Sequence, residues 1–266
     1  MRRRLTTGEI PTGGRAIQAS ACGDDGSSSV AVKVLAGLGA LTALLYILAF
    51  PPYDVAPAAF VFAVPFLLTG LRQPRGRALL MASLLGGFLG WLGVIIWLRH
   101  VYAPWGYVGW FLLSAILSLF LAPWLYLAAR VFAGASRRRW PARVLAWAAL
   151  AGVWVLLEWL RSWVLTGFPW MQLAASQWKV PAMLPVAAVT GAYGVSFLLV
   201  FANCALAQAA VTLLRQHRDR HAAGRPLPFN PAASLCPELA LTLALLALSL
   251  GVYASGQRPQ TEREPL

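Results

Sequence analysis

The chain has 266 residues, of which 59% are hydrophobic and 12% charged. Soluble domains contain about 45–50% apolar and about 25% charged residues, so this composition excludes an ordinary soluble domain and indicates a polytopic membrane protein. The three cysteines show no spacing typical of a metal site or a disulfide framework, and we expect neither a metal nor another cofactor.

The predicted elements, in chain order, are a polar tail, a series of apolar helices and a second short tail. Residues 1–29 are polar and contain Gly and Ser, and we expect them to be disordered. Residues 30–254 contain bilayer-length apolar runs without the alternation of barrel strands, so the predicted fold is an all-α transmembrane helix bundle. The seven runs are 30–50, 55–71, 78–98, 107–133, 144–164, 182–214 and 235–254, and the last tail is 255–266.

The net charge of +13 could indicate a nucleic-acid partner, but its distribution argues against one. The tails and the connections between predicted helices would alternate between the two sides of a membrane. On this assignment 16 Lys and Arg residues fall on one side and five on the other. This is the positive-inside pattern of a multi-pass membrane protein. It predicts a cytoplasmic N-terminus, a C-terminus outside, and no nucleic-acid partner.

The predicted outer connections are aromatic and rich in Pro, whereas the cytoplasmic ones are basic. The third of them, residues 161–181, is long and apolar and is interrupted by Gly and Pro. Its Trp residues could simply form the aromatic belt that many membrane proteins place at the headgroup level. Alternatively, an apolar, irregular segment of this kind lines a cavity that opens to lipid.

A charged pair, Glu158 and Arg161, ends the fifth predicted helix just before this loop. Residues three apart on a helix can form an ion pair that fixes the helix end. Two functional alternatives are that Arg161 binds a phospholipid phosphate, for which its planar fork is suited, or that Glu158 orients a loop residue.

Five short motifs occur in a fixed order along the chain. They are Phe-Pro-Pro-Tyr-Asp at 50–54, Glu-Trp-Leu-Arg at 158–161, Thr-Gly-Phe-Pro-Trp at 166–170, Ser-Gln at 176–177 and Gly-Ala-Tyr-Gly-Val-Ser-Phe at 191–197. In this order and at this spacing, residues 35–254 resemble the membrane half of the bacterial apolipoprotein N-acyltransferases. The second and third motifs are the most specific part of the resemblance.

The resemblance implies a multi-pass protein of the bacterial inner membrane that takes part in lipoprotein maturation. Enzymes of this family transfer an acyl chain from a phospholipid to the N-terminal diacylglyceryl-cysteine of an apolipoprotein. They use a nitrilase-like domain with a Glu-Lys-Cys constellation, which follows the seventh helix. A Cys thioester would divide one difficult acyl transfer into two easier steps.

The sequence departs from the family pattern because it ends at Leu266, shortly after the seventh run. We therefore expect the catalytic domain to be absent from this chain, lost or encoded separately, and the chain alone not to be catalytic. Cys204 and Cys236 lie in apolar helical surroundings and cannot replace the nucleophile. No catalytic residue is predicted. One alternative is a non-catalytic lipid-binding or assembly module. A transporter is a less favoured alternative, because it would require ionisable residues in several helices.

If the chain is part of such an enzyme, the resemblance implies a lipid-access site on the outer face. Pro169 and Trp170 would shape the loop against acyl chains, and Arg161 would hold a phosphate. Gln177 would supply an amide to the headgroup or to a loop, and Tyr193 would line the opposite wall. The expected site residues are Glu158, Arg161, Thr166, Phe168, Pro169, Trp170, Gln177 and Tyr193. The implied partners are phospholipid, the diacylglyceryl apolipoprotein and a separately encoded nitrilase-like domain.

Overall fold

A computed structural model describes residues 25–101, 104–164, 167–222 and 236–256. Every regular element in these residues is helical, which confirms the all-α prediction. The α-helices are α1 (Asp25–Leu48), α2 (Val64–Thr69), α3 (Gly76–Val94), α4 (Trp105–Ala135), α5 (Trp140–Arg161), α6 (Leu184–Ala222) and α7 (Pro237–Gly256).

The first helix begins earlier than the sequence predicts. Residues 25–29, expected to belong to a disordered tail, form the start of α1. Their Asp and Ser residues are favoured at helix starts, which is the physical reason for the difference. Residues 1–24, the rest of that tail, and residues 257–266 of the final tail lie outside the described part of the chain.

Five helices, α3 to α7, are long and apolar enough to cross a membrane. The apolar part of α1, Val32–Leu48, and the segment Ala56–Arg72 are shorter. Neighbours in sequence pack against each other from α3 to α7, while α1 packs on α3, and α2 contacts α1, α4 and α6. The described residues therefore form a helix bundle with several candidate membrane spans.

The second predicted run, 55–71, is not one continuous helix. It is divided into a 3₁₀ helix at Ala56–Phe60, the six-residue α2 and a 3₁₀ helix at Gly70–Arg72. A proline stands at the start of the first 3₁₀ helix and another at the start of α2. Because proline lacks a backbone N–H and clashes with the preceding turn, it begins helices and does not continue them.

Asn203, fully buried in α6, satisfies backbone groups that this break leaves unpaired. Its Oδ1 accepts a hydrogen bond from Ala63 N at 2.9 Å, and its Nδ2 donates to Ala59 O at 2.8 Å and to Leu199 O at 2.8 Å. An irregular backbone at membrane depth is tolerated only where protein groups supply these bonds. The side chain of Asn203 therefore makes the broken segment compatible with an apolar environment.

The centre of the bundle is a cluster of buried aromatic rings. Trp154 of α5 packs edge-on against Trp124 of α4, with 4.9 Å between ring centroids, and against Phe62 at 5.5 Å. Tyr46 of α1 contacts Phe62 at 5.3 Å, and Trp124 Nε1 donates to the Leu150 carbonyl at 2.9 Å. These ring contacts join α1, α4 and α5 to the broken segment that precedes α2.

Helix α6 is interrupted at Gly191, which has φ 68° and ψ −172°. Only glycine adopts this region of backbone space at low cost, because it has no Cβ. The sixth run, predicted to tilt or to extend beyond the membrane, thus consists of two helical pieces that meet at Gly191.

The chain's charges separate between the two ends of the bundle. One end, called here the basic end, contains the starts of α3, α5 and α7 and the ends of α4 and α6. There Arg143 of α5 forms an ion pair with the fully buried Glu238 of α7, with 2.6 Å between Nε and Oε1. The other end, called here the loop end, carries the long segment between α5 and α6.

Candidate functional site

The loop that follows α5 turns back across the end of the helix instead of leaving the bundle. Its first reversal is closed by Phe168 N, which donates to the Arg161 carbonyl at 2.8 Å. Gly167 and Met171 have positive φ values of 82° and 56°. A Cβ at Gly167 would lie 2.2 Å from the Ser162 carbonyl oxygen, so both conformation and space require glycine there.

Glu158 binds the returning loop through one carboxylate oxygen. The side chain is 5% exposed, and its Oε1 accepts a hydrogen bond from Leu173 N at 2.7 Å. The other oxygen, Oε2, has no protein partner. Because leaving a buried N–H such as that of Leu173 unpaired costs about 1–3 kcal/mol, this bond fixes the loop against α5.

Arg161, one turn later on the same face of α5, binds the loop at a second point. It is 3% exposed, and its guanidinium donates to the Trp170 carbonyl at 2.9 Å and to the Met171 carbonyl at 3.4 Å. The same group lies over the ring of Trp91 at 4.7 Å and near that of Phe168 at 5.9 Å. Cation–π contacts of this kind stabilise a desolvated guanidinium.

The ion pair that the sequence allows between Glu158 and Arg161 is not formed. Within the described ranges, the ion pairs shorter than 4.0 Å are Arg143–Glu238 and Lys179–Asp54. The two charged side chains instead bind the loop separately, because the returning backbone offers an N–H to the acid and two carbonyls to the base. The alternative in which Glu158 orients a loop residue is the one that the contacts show.

The far end of the loop is tied to other parts of the bundle. Gln177 is buried, and its Nε2 donates to the Ala56 carbonyl at 3.0 Å and to Ser176 Oγ at 2.9 Å. Ala174 N donates to Ser196 Oγ of α6 at 3.0 Å. Of the two roles considered for Gln177, the structure thus shows the one in which it holds a loop.

The loop is also joined to the first outer turn through Asp54. Trp178 Nε1 donates to Asp54 Oδ1 at 3.0 Å, and Lys179 Nζ lies 2.6 Å from Asp54 Oδ2. These hydrogen bonds, that of Lys179 first, hold the pKa of the Asp54 carboxyl below its ordinary value. The sequence indicated an acid in this turn but not its partners, which are more than 120 residues away.

We expect the Asp54 carboxyl to titrate below about pH 3.9, the ordinary aspartate pKa. Since its folded pKa is lowered, its contribution to stability is fully present above the ordinary value and is lost as the pH falls through the folded pKa. Carboxyl ¹³C NMR in nanodiscs would measure the midpoint, with Asp54→Asn to assign the signal. Lys179→Gln should return the midpoint toward the ordinary value, and equal midpoints in both proteins would contradict the ion pair.

Exposed aromatic rings cover the outer surface of the loop. Trp163, Trp170 and Trp178 are 72%, 62% and 64% exposed, and Pro169 is exposed beside them. Trp170 rests on the half-buried Phe168, with 5.3 Å between centroids. Such rings suit the headgroup level, so the aromatic-belt interpretation accounts for the Trp residues but not for the anchors beneath them.

The eight expected site residues are only partly brought together. Glu158 and Arg161 of α5 hold residues 167–180, called here the anchored loop, which contain Phe168, Pro169 and Trp170, and Gln177 holds the far end of that loop. Thr166 lies outside the described residues. Tyr193 lines an apolar groove of about 670 Å³ between α5, α6 and α7 and lies within electrostatic range of Arg161. The sequence reasoning missed Asn203 and Ser196 as anchors, although a buried polar residue in an apolar run was a usable signal.

Glu158→Gln should preserve the fixed loop, whereas Glu158→Leu should release it, because only the amide keeps an acceptor for Leu173 N–H. In the Leu variant we expect the loop amides to exchange at least about tenfold faster than in the wild type. The reason is that this variant loses a charge-assisted hydrogen bond that contributes about 1.5–3 kcal/mol. Hydrogen exchange with mass spectrometry in nanodiscs would measure this over residues 168–176. Equal exchange in the two variants would mean that the Glu158 contact does not hold the loop.

The two cysteines in the described residues are both buried. Cys204 lies fully buried inside α6, and Cys236 has its Sγ near the Ala205 carbonyl at 3.8 Å. A reactive thiol needs exposure, which neither has, and the cation close to Cys236, Arg143, is already paired with Glu238. In this part of the chain, there is also no group of three or more His, Cys, Asp or Glu residues that could hold a metal.

Known proteins resemble this chain in sequence. The family described as apolipoprotein N-acyltransferase N-terminal domain matches residues 42–205, from α1 through the anchored loop and most of α6. The chain is 31% identical to the apolipoprotein N-acyltransferase of Geobacter metallireducens over 211 residues, which are 79% of this chain and 38% of that protein.

Two further relatives give the same result. The apolipoprotein N-acyltransferase of Vibrio cholerae is 32% identical over 62% of this chain and 32% of its own length. That of Haemophilus influenzae is 29% identical over 66% of this chain and 32% of its own length. The chain thus spans about a third of the length of these relatives. With the family matching well over half of its residues, the chain belongs to the apolipoprotein N-acyltransferase N-terminal domain family.

Proposed function

We propose that this chain is the membrane part of an apolipoprotein N-acyltransferase, acting in lipoprotein maturation. The observation that carries the proposal is the family match, which includes both Glu158 and Arg161 and the whole anchored loop. The substrates would be a membrane phospholipid, as acyl donor, and the N-terminal diacylglyceryl-cysteine of an apolipoprotein.

In this proposal the chain lies in the bacterial inner membrane with its basic end in the cytoplasm. The distribution of Lys and Arg supports this orientation, because cytoplasmic connections carry the excess of positive charge. The N-terminus would then be cytoplasmic, and the loop end and the C-terminus would face outward. The anchored loop would stand at the outer leaflet, where its exposed Trp residues meet lipid.

The anchored loop would guide phospholipid toward the catalytic centre. Trp170 and Pro169, both exposed, would contact acyl chains at the surface of the loop. Arg161 has a different role from phosphate binding, because it is 3% exposed and its hydrogen bonds go to two carbonyls of the loop. We propose that Arg161 and Glu158 position the loop and that Tyr193 contributes to the wall of the neighbouring apolar groove.

The chemistry would be done by a nitrilase-like domain, joined to this membrane part or encoded separately. In the first step a Cys thiolate attacks the phospholipid ester, forming a thioester and releasing a lysophospholipid alkoxide that takes up a proton. In the second step the α-amino group attacks the thioester, forming an amide and returning the thiol. The role of this chain is to bind the lipid substrates and to orient them toward the catalytic groups of that domain.

A chimera tests the proposal directly. The chain would replace the corresponding membrane part of the Geobacter metallireducens relative, in cells depleted of their own acyltransferase. We expect N-acylation of a reporter lipoprotein, read by mass spectrometry of its N-terminal peptide, only when the nitrilase-like part is present with its nucleophile intact. A well-expressed chimera without acylation would overturn the proposal and favour a non-catalytic lipid-binding or assembly module.

A further inference from the structure

A second cavity, lined by both arginines and apolar residues, lies at the basic end of the bundle, away from the anchored loop. It has a volume of about 280 Å³ and is formed where the 3₁₀ helix Gly70–Arg72, the turn after α4, and the last turns of α6 meet. We call it the arginine pocket. Its lining residues are Leu71, Arg137, Val211, Leu214, Arg215 and Arg218.

The three arginines of the pocket have no acidic partner in the described part of the chain. The ion pairs found there within 4.0 Å involve other residues. Asp219, the nearest acid in sequence, is exposed, forms no ion pair within that distance and does not line the pocket. The sequence of residues 223–235, which follows α6, contains no Asp or Glu. The pocket is therefore a concentration of positive charge that an anion would neutralise.

The position of the pocket combines this charge with apolar surface. Arg215 and Arg218 are three residues apart on α6, so they share one face, and Arg137 reaches the cavity from a different element. Leu71, Val211 and Leu214 supply the apolar part of the lining. Since α6 is a candidate membrane span and the pocket lies near its end, the apolar side chains would meet acyl chains and the arginines would meet headgroups.

We propose that the arginine pocket binds the headgroup phosphate of an anionic phospholipid, with its acyl chains against Leu71 and Leu214. The planar fork of arginine suits phosphate oxygens, and basic pockets between membrane helices are suited to anionic headgroups. Arginines that served only to orient the protein would need no shared cavity. The proposal does not depend on the acyltransferase assignment, because it concerns the other end of the bundle.

The test is lipid binding to the purified full chain, counted by native mass spectrometry in detergent. The probe is phosphatidylglycerol, compared with zwitterionic phosphatidylcholine. The pocket variant is Arg137→Gln, Arg215→Gln and Arg218→Gln combined. The control variant is Arg75→Gln, Arg77→Gln and Arg139→Gln, which removes the same charge from the same end. All six arginines are exposed, and the control set differs in that it does not line the pocket.

We expect selective phosphatidylglycerol binding by the wild type and the control variant, weakened roughly 30- to 100-fold in the pocket variant. Equal weakening in both variants would mean a general charge effect and would overturn the proposal. Retention of inorganic phosphate without retention of phosphatidylglycerol would also overturn it, since that result would indicate a free-anion site. If the triple variant does not fold, the single Arg215→Gln and Arg218→Gln variants should each weaken binding roughly fivefold, and unchanged binding in both would contradict the site.

Discussion

Arg161→Ala is expected to release the anchored loop and to reduce acyl transfer by the chimera roughly 100-fold, because a displacement of about 1 Å at a positioning element can cost that much. The variant removes two hydrogen bonds to loop carbonyls and the contacts of the guanidinium with Trp91 and Phe168. Membrane insertion should be unaffected. The measurements are reporter acylation and hydrogen exchange of the loop in nanodiscs.

Arg161→Lys should give an intermediate loss, since an ammonium keeps the charge but lacks the planar fork that spans two carbonyls. The matched control is Arg99→Ala at the same end of the bundle, whose Nε donates to the exposed His100 and which should retain acyl transfer. Unchanged loop exchange in the Arg161→Ala variant would contradict a positioning role. Loss of the protein from the membrane would show that Arg161 is needed for folding instead.

Asn203→Leu is expected to destabilise the bundle by about 2–5 kcal/mol, because it leaves the Ala63 N–H and the Ala59 carbonyl buried without partners. Leucine has the same number and branching of side-chain heavy atoms as asparagine and leaves no cavity, so we attribute the loss to hydrogen bonding. Thermal unfolding of the purified chain in detergent would measure the change as a lower midpoint temperature.

The control for this prediction lies in the same helix. Gln208 is 2% exposed, and its Oε1 has no hydrogen-bond partner, so Gln208→Leu should leave the midpoint unchanged or raise it. The two substitutions replace a buried amide by the same apolar residue and differ in what the amide binds. A similar loss in both variants would attribute the effect to the apolar substitution and not to the contacts of Asn203.

Apolar length and composition were enough to predict the helical class and the places of the long helices. The predicted run 107–133, for example, corresponds to α4 at Trp105–Ala135. They did not predict the break within 55–71, because hydropathy does not register how two prolines divide a short apolar segment. The partner that makes the break tolerable, Asn203, is 140 residues from Ala63 in sequence, and no local pattern reports such a pairing.

For the candidate site, the sequence indicated the right residues but only part of their interactions. The three-residue spacing of Glu158 and Arg161 put them on one face, as the structure shows, and suggested that they pair with each other. Their actual partners are backbone groups of residues 170–173, which depend on the positive φ values of Gly167 and Met171. The direction of a loop backbone follows from its complete fold and is not encoded in spacing alone.

The anchors of the loop have a mechanical consequence for the whole loop end. Through Asp54 and Ala56 on one side and α5 on the other, residues 167–180 act as a strap that couples the turn after α1 to the fifth helix. Relative sliding of α1 and α5 would have to break several hydrogen bonds at once. Helix α7 is held less closely: many of its apolar side chains are exposed, and near this end Ser249 Oγ donates to the Ala182 carbonyl. If the bundle opens toward lipid at this end, we expect α7 to move and α1 and α5, which the strap joins, to keep their positions.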